Sequence, residues 1–477
     1  MYELIRILNS LIENGIFFIA VIIFATYIAM AVISGFEMIS YLRKNSFVDY
    51  SALLSSPLAP SITIIAPAYN EGNTIIDNIR SLLSIHYTDF EVVIVNDGST
   101  DDSLSKVIDF YQLERVDYLI DTIIPTKPIR GIYKSSNMAY SKLTVIDKVN
   151  GGKADSLNTG INFTNNRYFA TIDVDCILDE DAILKMIKPF LEDNRYRVIA
   201  TGGVIRVANS CKVKDGKIVE INLPDSLLAR FQVLEYTRAF LMGRMAWSRL
   251  NGLLLISGAF GIFDREIVLK AGGYNIHTVG EDMELIVRMR RYMIENNLSY
   301  KVIYIPDPLC WTVVPESLKI LSRQRNRWTR GTMETLFNHI TLFFNPKYGN
   351  LGMVGHPYWF FFEWLAPLIE FLGICYFLMV LVLGNPDWPF FYLLLGFTYL
   401  FAVVYSSLAV VFEEFTFAVY RRKRDVLRLI LITLIEPLVF HPLTIWFSLK
   451  GNYHYLTGNS SWGKMDKKGF GGKKKNN

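Results

Sequence analysis

The chain has 477 residues, enough for one sizeable globular domain plus extra elements, and 51% of them are hydrophobic against 20% charged. That balance excludes an ordinary soluble protein. The net charge of +4 is small for this length, so no nucleic-acid partner is expected.

The apolar excess is concentrated at the ends. Gly15 to Ile39, interrupted only by Glu37, exceeds the roughly 20 residues needed to cross a bilayer. Arg43 and Lys44 follow it and no small-residue cleavage site does, which reads as an anchor rather than a signal peptide.

From Ser61 to about Phe344, short apolar runs alternate with amphipathic ones, the pattern of an α/β domain with a largely parallel sheet and crossover helices. Ile62–Pro67 is a β-branched run, followed at helical spacing by Glu71–Ser84. Glu91–Val95 is a second strand, and Asp97-Gly98-Ser99-Thr100 supplies capping residues for the next helix. Tyr168–Val174 repeats the theme, with Asp179-Glu180-Asp181 opening the following helix. In such sheets ligands gather at the carboxyl ends of the strands.

The informative residues lie there. Asp173-Val174-Asp175 ends a strand, and alternation points both carboxylates to one side, where they can hold a divalent cation or simply meet solvent. Asp97 ends another strand and fits either the same pocket or a turn. Leu227–Leu250 mixes large apolar side chains with four arginines and a tryptophan, which suits a helix in the membrane interface and equally a helix covering the core. Ser257-Gly258-Ala259-Phe260-Gly261 is a small-residue string that either lets a ligand approach the backbone or forms a plain strand-end turn. Gly280-Glu281-Asp282 precedes a helix over Met283–Met293, so Asp282 serves as a general base or a helix cap.

Gln324-Arg325-Asn326-Arg327-Trp328 is the most unusual string. Positions 324, 327 and 328 share one helical face, presenting an amide, a guanidinium for phosphate and an indole for a sugar ring, or else a basic interfacial helix with a tryptophan anchor.

Three further apolar stretches follow: about 357–383, 388–412 and 426–449, the first two separated by the turn signal Gly384-Asn385-Pro386-Asp387. Arg421-Arg422-Lys423-Arg424 and the Gly-rich basic tail from Lys464 to Lys475 favour the cytoplasmic side. One last crossing would leave that tail outside. Glu436-Pro437 and His441-Pro442 interrupt the stretch, so a re-entrant or interfacial hairpin is expected. Cys176, Cys211, Cys310 and Cys375 lack metal spacing and are expected to be reduced, buried thiols.

Taken together, these strings resemble the family-two inverting glycosyltransferases, in particular the processive membrane synthases of cellulose, chitin, hyaluronan and poly-N-acetylglucosamine. The resemblance covers about 62–331 and implies a GT-A-type nucleotide-sugar domain fused to transmembrane helices. It divides the chain into an anchor (1–45), a cytoplasmic transferase domain with interfacial helices (46–345), C-terminal membrane or interfacial helices (346–450) and a basic tail (451–477).

Residue by residue, the resemblance makes the loop holding Ala66, Tyr69 and Glu71 the receiver of uridine, with Asp97 on the uracil and ribose side. Lys153 and Asp155, in Gly-Lys-Ala-Asp-Ser-Leu-Asn, correspond to the nucleotide and phosphate segment. Asp173 and Asp175 match the paired aspartates, Asp175 as the better ligand for Mg2+ or Mn2+. Asp282 matches the catalytic base, Gly258 and Glu281 the acceptor side, Gln324 and Arg327 the pyrophosphate clamp, and Trp328 the acceptor-stacking indole. Gly-Glu-Asp departs from relatives with threonine first. The roughly 27 residues after the last apolar stretch are too few for the cyclic-dinucleotide-binding domain of some cellulose synthases.

The implied partners are a UDP-sugar, UDP-N-acetylglucosamine before UDP-glucose, a growing polysaccharide and membrane lipid, with room for accessory export subunits. The implied location is the plasma (inner) membrane, multi-pass. Single addition to a lipid-linked acceptor, or nucleotide-sugar binding without turnover, are the competing readings.

Overall fold

The computed structural model describes residues 2–54, 56, 59–192, 195–383 and 387–458. Two expected features, the turn at 384–386 and the lysine tail from Lys464, lie outside the described residues.

A long helix, α1 (Tyr2–Asn45), and a short one, α2 (Tyr50–Leu54), lead into β1 (Ile62–Ala68), α3 (Ile75–Leu83), β2 (Phe90–Asn96) and α4 (Ser103–Tyr111). Strands β3 (Leu113–Val116), β4 (Ile129–Ser135) and β5 (Leu143–Lys148) precede α5 (Lys153–Phe163), β6 (Tyr168–Ile172), β7 (Ile177–Leu178), α6 (Ala182–Leu191) and β8 (Arg197–Val207). A small hairpin, β9 (Lys212–Lys214) and β10 (Lys217–Glu220), is followed by α7 (Leu227–Thr237), a π-helical stretch (Arg238–Arg244) and α8 (Met245–Arg249). Then come β11 (Phe260–Asp264), α9 (Arg265–Lys270), α10 (Glu281–Glu295), β12 (Tyr300–Thr312) and α11 (Leu318–Asn338).

Ten strands form one sheet in the order β3-β4-β5-β2-β1-β6-β11-β8-β12-β7. The centre, β5-β2-β1-β6, is parallel, as is β8 with β12. The sheet is mixed rather than largely parallel, because β11 runs back between β6 and β8, while β3, β4 and β7 join antiparallel. The central strands are Val- and Ile-rich and buried on both faces, as a sheet covered by helices requires.

The C-terminal third is helical: α12 (His356–Tyr358) between two π-helical stretches, then α13 (Ala366–Val382), α14 (Trp388–Thr416) and α15 (Lys423–Leu456). Among the described residues four helices are long and apolar enough to cross a membrane: 11–45, 351–382, 388–416 and 423–456. Phe24 of α1 stacks on Phe401 of α14 at 3.9 Å, and Phe377 of α13 on Phe391 of α14. The α7–α8 segment lies between these helices and the sheet. The Ser34 hydroxyl of α1 donates to the Leu241 carbonyl, and Ser248 Oγ accepts from the Tyr304 N–H of β12.

Two expectations are corrected. The hairpin within 426–449 does not form: α15 runs unbroken through Pro437 and Pro442. Next to the Thr433 carbonyl that Pro437 leaves without its helical donor, the Leu434 carbonyl accepts from the Tyr399 hydroxyl of α14. All four cysteines are free, but only Cys176 and Cys310 are buried; Cys211 is half-buried and Cys375 lies on the exposed face of α13.

Candidate active site

The site is built where β1, β2, β5 and β6 end, as strand-end loops of an α/β sheet dictate. Ala66 is buried within β1 opposite Ile94, and the chain leaves the strand through half-exposed Tyr69 and Asn70, the latter at φ 54°. This loop is stitched to the one after β2. The Asn70 side-chain oxygen accepts from the Thr100 N–H at 2.8 Å, and the Glu71 N–H donates to Ser103 Oγ at 2.8 Å. The Glu71 side chain is buried beneath it.

Asp97 and Asp155 are buried and share a lysine. Lys148 at the end of β5 lies 2.8 Å from Asp97 and 2.6 Å from Asp155, with no solvent exposure. The Asp97 carboxylate also accepts from the Gly151 and Gly152 N–H groups at 2.9 and 2.8 Å. Gly152 has φ +88°, which a side chain resists, and leads directly into α5. This cluster therefore fixes where α5 begins and aims its first residue, Lys153.

Lys153 meets three groups from three other segments. Its ammonium pairs with Asp173, lies 3.2 Å from the Gly258 carbonyl and 3.9 Å from Glu281. Burial works against the charged amine, yet Asp173, Glu281 and Asp282 together hold its pKa above the ordinary lysine value. The strand β6 ends one residue before Asp173. A tight turn, with the Cys176 N–H donating to the Asp173 carbonyl, buries Val174 and leaves Asp173 and Asp175 half-exposed.

Asp282 is the second residue of α10 and only half-buried. One carboxylate oxygen accepts from the Gly258 N–H at 3.0 Å and the other from the Met283 N–H at 2.9 Å. A side chain at Gly258 would reach 3.0 Å from the Lys153 ammonium and 3.3 Å from Asp282, so glycine is what allows both to converge. Glu281 is buried, with one oxygen lacking a hydrogen-bond partner. Burial raises its pKa, against the pull of Lys153 and Arg327.

Gln324, Arg327 and Trp328 project from α11, which reaches the site through a contact that sequence reading missed. Gly280 and Gly331 touch backbone to backbone: a side chain at either would lie 2.7 Å from the other's Cα. A glycine beside each motif was the available signal, but nothing in the sequence pairs them. Arg325 holds Glu235 of α7 through two 2.6 Å hydrogen bonds and lies 4.2 Å over the Trp328 ring, which is 39% exposed. Lys148 was also missed. It ends a strand buried throughout, shortly before Asn150-Gly151-Gly152, and a buried lysine there announces a charge partner.

Among the described residues no group of three or more His, Cys, Asp or Glu side chains could hold a metal alone. The donor set still fits a hard cation: Mg2+ commonly takes one or two carboxylates and completes its shell with water and substrate phosphate. Asp175 and Asp173 are such a pair, the latter shared with Lys153.

Two family descriptions match the chain: "Glycosyl transferase family 2" over residues 63–251 and "Glycosyl transferase family group 2" over 168–405. A poly-beta-1,6-N-acetyl-D-glucosamine synthase of Staphylococcus epidermidis is 26% identical over 356 residues, 74% of this chain and 71% of the relative. A synthase of the same description from Staphylococcus aureus is 26% identical over 275 residues, 58% of this chain and 55% of its own length. Among solved structures, the mannosyltransferase PcManGT from Pyrobaculum calidifontis, in complex with GDP-Man and Mn2+, superposes with a TM-score of 0.53 at 16% identity. It covers 92% of this chain and all of its own, a likeness of fold.

Proposed function

We propose, from its match to glycosyl transferase family 2, that the chain is a membrane glycosyltransferase building a β-linked polysaccharide from UDP-N-acetylglucosamine. The likeness to poly-beta-1,6-N-acetyl-D-glucosamine synthases supports the donor and product. The observation that carries the chemistry is the convergence of Lys153, Asp173, Gly258, Glu281 and Asp282, from four separate segments, on one cleft.

In this reading the reaction is a single inverting displacement. Asp282 takes the proton from the acceptor hydroxyl as that oxygen attacks the anomeric carbon, and the sugar–phosphate bond breaks to release UDP. Exposure favours Asp282 over Glu281 as the base, and the Gly258 N–H holds its carboxylate in place. Lys153 and Arg327 face the charge that builds on the leaving diphosphate. The loop of Ala66, Tyr69 and Glu71 takes the uridine, while Asp97 and Asp155 act beneath it by holding Lys148 and the start of α5. Asp175 and Asp173 would hold Mg2+ or Mn2+, which supplies positive charge against the diphosphate. Gln324 assists Arg327, and Trp328 stacks on the acceptor sugar beside Gly258.

The same reading assigns 1–45 to an anchor, 46–345 to a cytoplasmic transferase domain, 346–450 to membrane or interfacial helices and 451–477 to a tail, in the plasma membrane. Polymer grows by repeated addition at the non-reducing end, and export accompanies it.

Purified protein in detergent tests this directly. We expect UDP release from UDP-N-acetylglucosamine that depends on Mg2+ or Mn2+, with polymer on size analysis. Asp282→Asn should lose about 10²- to 10⁴-fold in rate while still binding UDP. An Asp282→Asn variant with undiminished release would remove the assigned base, and products longer by one sugar only would favour single addition.

A further inference from the structure

We propose that α15 does not cross the bilayer, although its length and composition suit a crossing, but lies along the membrane face of the transferase domain with both ends on the domain's side and its outer apolar stripe in lipid.

Its first end sits on the domain. Arg422, immediately before the helix, donates to Glu220 of β10 at 2.9 Å, and Leu429 and Ile432 share a core with Leu223, Phe231 and Leu321. Its centre stays close: Phe440 stacks on Phe231 of α7 at 5.3 Å, and Glu436 receives the Arg238 guanidinium at 2.9 Å. Its last end returns to the domain. Gly451 packs against Thr329 and Asn326 of α11, His454 lies 3.1 Å from the Asn326 side chain, and Tyr455 stacks on Phe337.

A helix of 34 residues is about 51 Å long. Were it to cross, its far end would be carried roughly 30 Å from the surface on which it started. Ends seated on Glu220 and Asn326 of one rigid domain do not allow that. The other apolar helices behave differently. Helix α1 meets the domain through its later half, where Tyr41 reaches Asp307, while Phe17 and Phe24 pack on α14. Helix α14 meets the domain over its last three turns, where Ser406 accepts from Arg238 and Glu413 pairs with Arg206.

The two faces of α15 fit a lipid boundary. Asp425, Leu429, Ile432, Glu436, Phe440 and Gly451 are buried along one side of its whole length. Leu427, Leu431, Leu434, Leu438, Val439 and Trp446 are exposed on the other and continue the apolar surface of α13 and α14. Such a helix lying in the interface, with Arg421–Arg424 at its start and Lys450 in its last turns, leaves the basic residues at both ends on one side of the membrane.

Cysteine labelling tests the placement without reference to sugar transfer, so it fails or succeeds independently of the proposed reaction. In the full chain carrying Cys211→Ser and Cys375→Ser, single cysteines replace exposed Thr457 after α15, Ser105 on α4 of the domain, and Leu383 at the far end of α13. Sealed vesicles of both orientations are treated with a membrane-impermeant maleimide. We expect Thr457→Cys to label in the orientation that labels Ser105→Cys and to be protected in the one that labels Leu383→Cys. The opposite pattern overturns the proposal. A C-terminal epitope read in the same vesicles guards against poor labelling: protease should remove it together with the transferase domain, and its survival after digestion of the domain overturns the proposal equally.

Discussion

The contact between Gly280 and Gly331 is the narrowest constraint on the site and the most direct to perturb. In Gly331→Ala the new methyl carbon would lie 2.7 Å from Gly280 Cα and 2.9 Å from Gly280 N. Carbon atoms rest at about 3.5–4.0 Å, so α11 and α10 must separate by roughly 0.8 Å or more, and no rotamer change relieves a backbone clash. Arg327 and Trp328 ride on α11 and Asp282 on α10, so the proposed clamp and the proposed base move apart. A misplacement of about 1 Å costs on the order of 10²-fold in rate. Stability changes less: overpacking costs about 1–3 kcal/mol, and alanine returns up to about 1 kcal/mol of helix propensity. The assay pairs UDP release with thermal unfolding, and Gly373→Ala, in α13 with open space around it, serves as control. Gly331→Ala with wild-type turnover would refute the reasoning, because the glycine contact would then not set the spacing of the site.

Two further predictions rest on buried charge. Lys148→Met leaves Asp97 and Asp155 uncompensated and should cost about 3–5 kcal/mol, read as a lower Tm; adding Asp155→Asn should recover part of it, and no recovery would mean the lysine acts otherwise than by pairing. The second uses the raised pKa of Glu281, which burial keeps above 4.5. The native state then holds this proton more tightly than the unfolded chain, so the charged form weighs against folding above the native pKa, and the penalty fades as pH falls through that value. Glu281→Gln should accordingly gain in Tm relative to wild type between about pH 5 and about pH 8; a difference that is constant with pH, or that shrinks, contradicts this assignment.

Much of the site is legible in the sequence because strand-end motifs are local. Asp173-Val174-Asp175 and Asp97 each follow a buried strand, and a strand buried on both faces must deliver its next residues to the sheet edge. Gln324, Arg327 and Trp328 share a face by helical spacing alone. What lies beneath them is not local. Asp97 and Lys148 meet across 51 residues, and Arg325 and Glu235 across 90, distances over which no periodicity carries information.

The sequence by itself determined the α/β domain, the order of its motifs and four apolar stretches, because apolar spacing records which face of an element avoids water. Only the tertiary structure decided what covers each face. The mixed sheet, the glycine contact that sets α11 against α10, and the unbroken course of α15 with both ends on the domain depend on partners far along the chain. An apolar stripe buries equally well in protein or in lipid, and composition cannot tell the two apart.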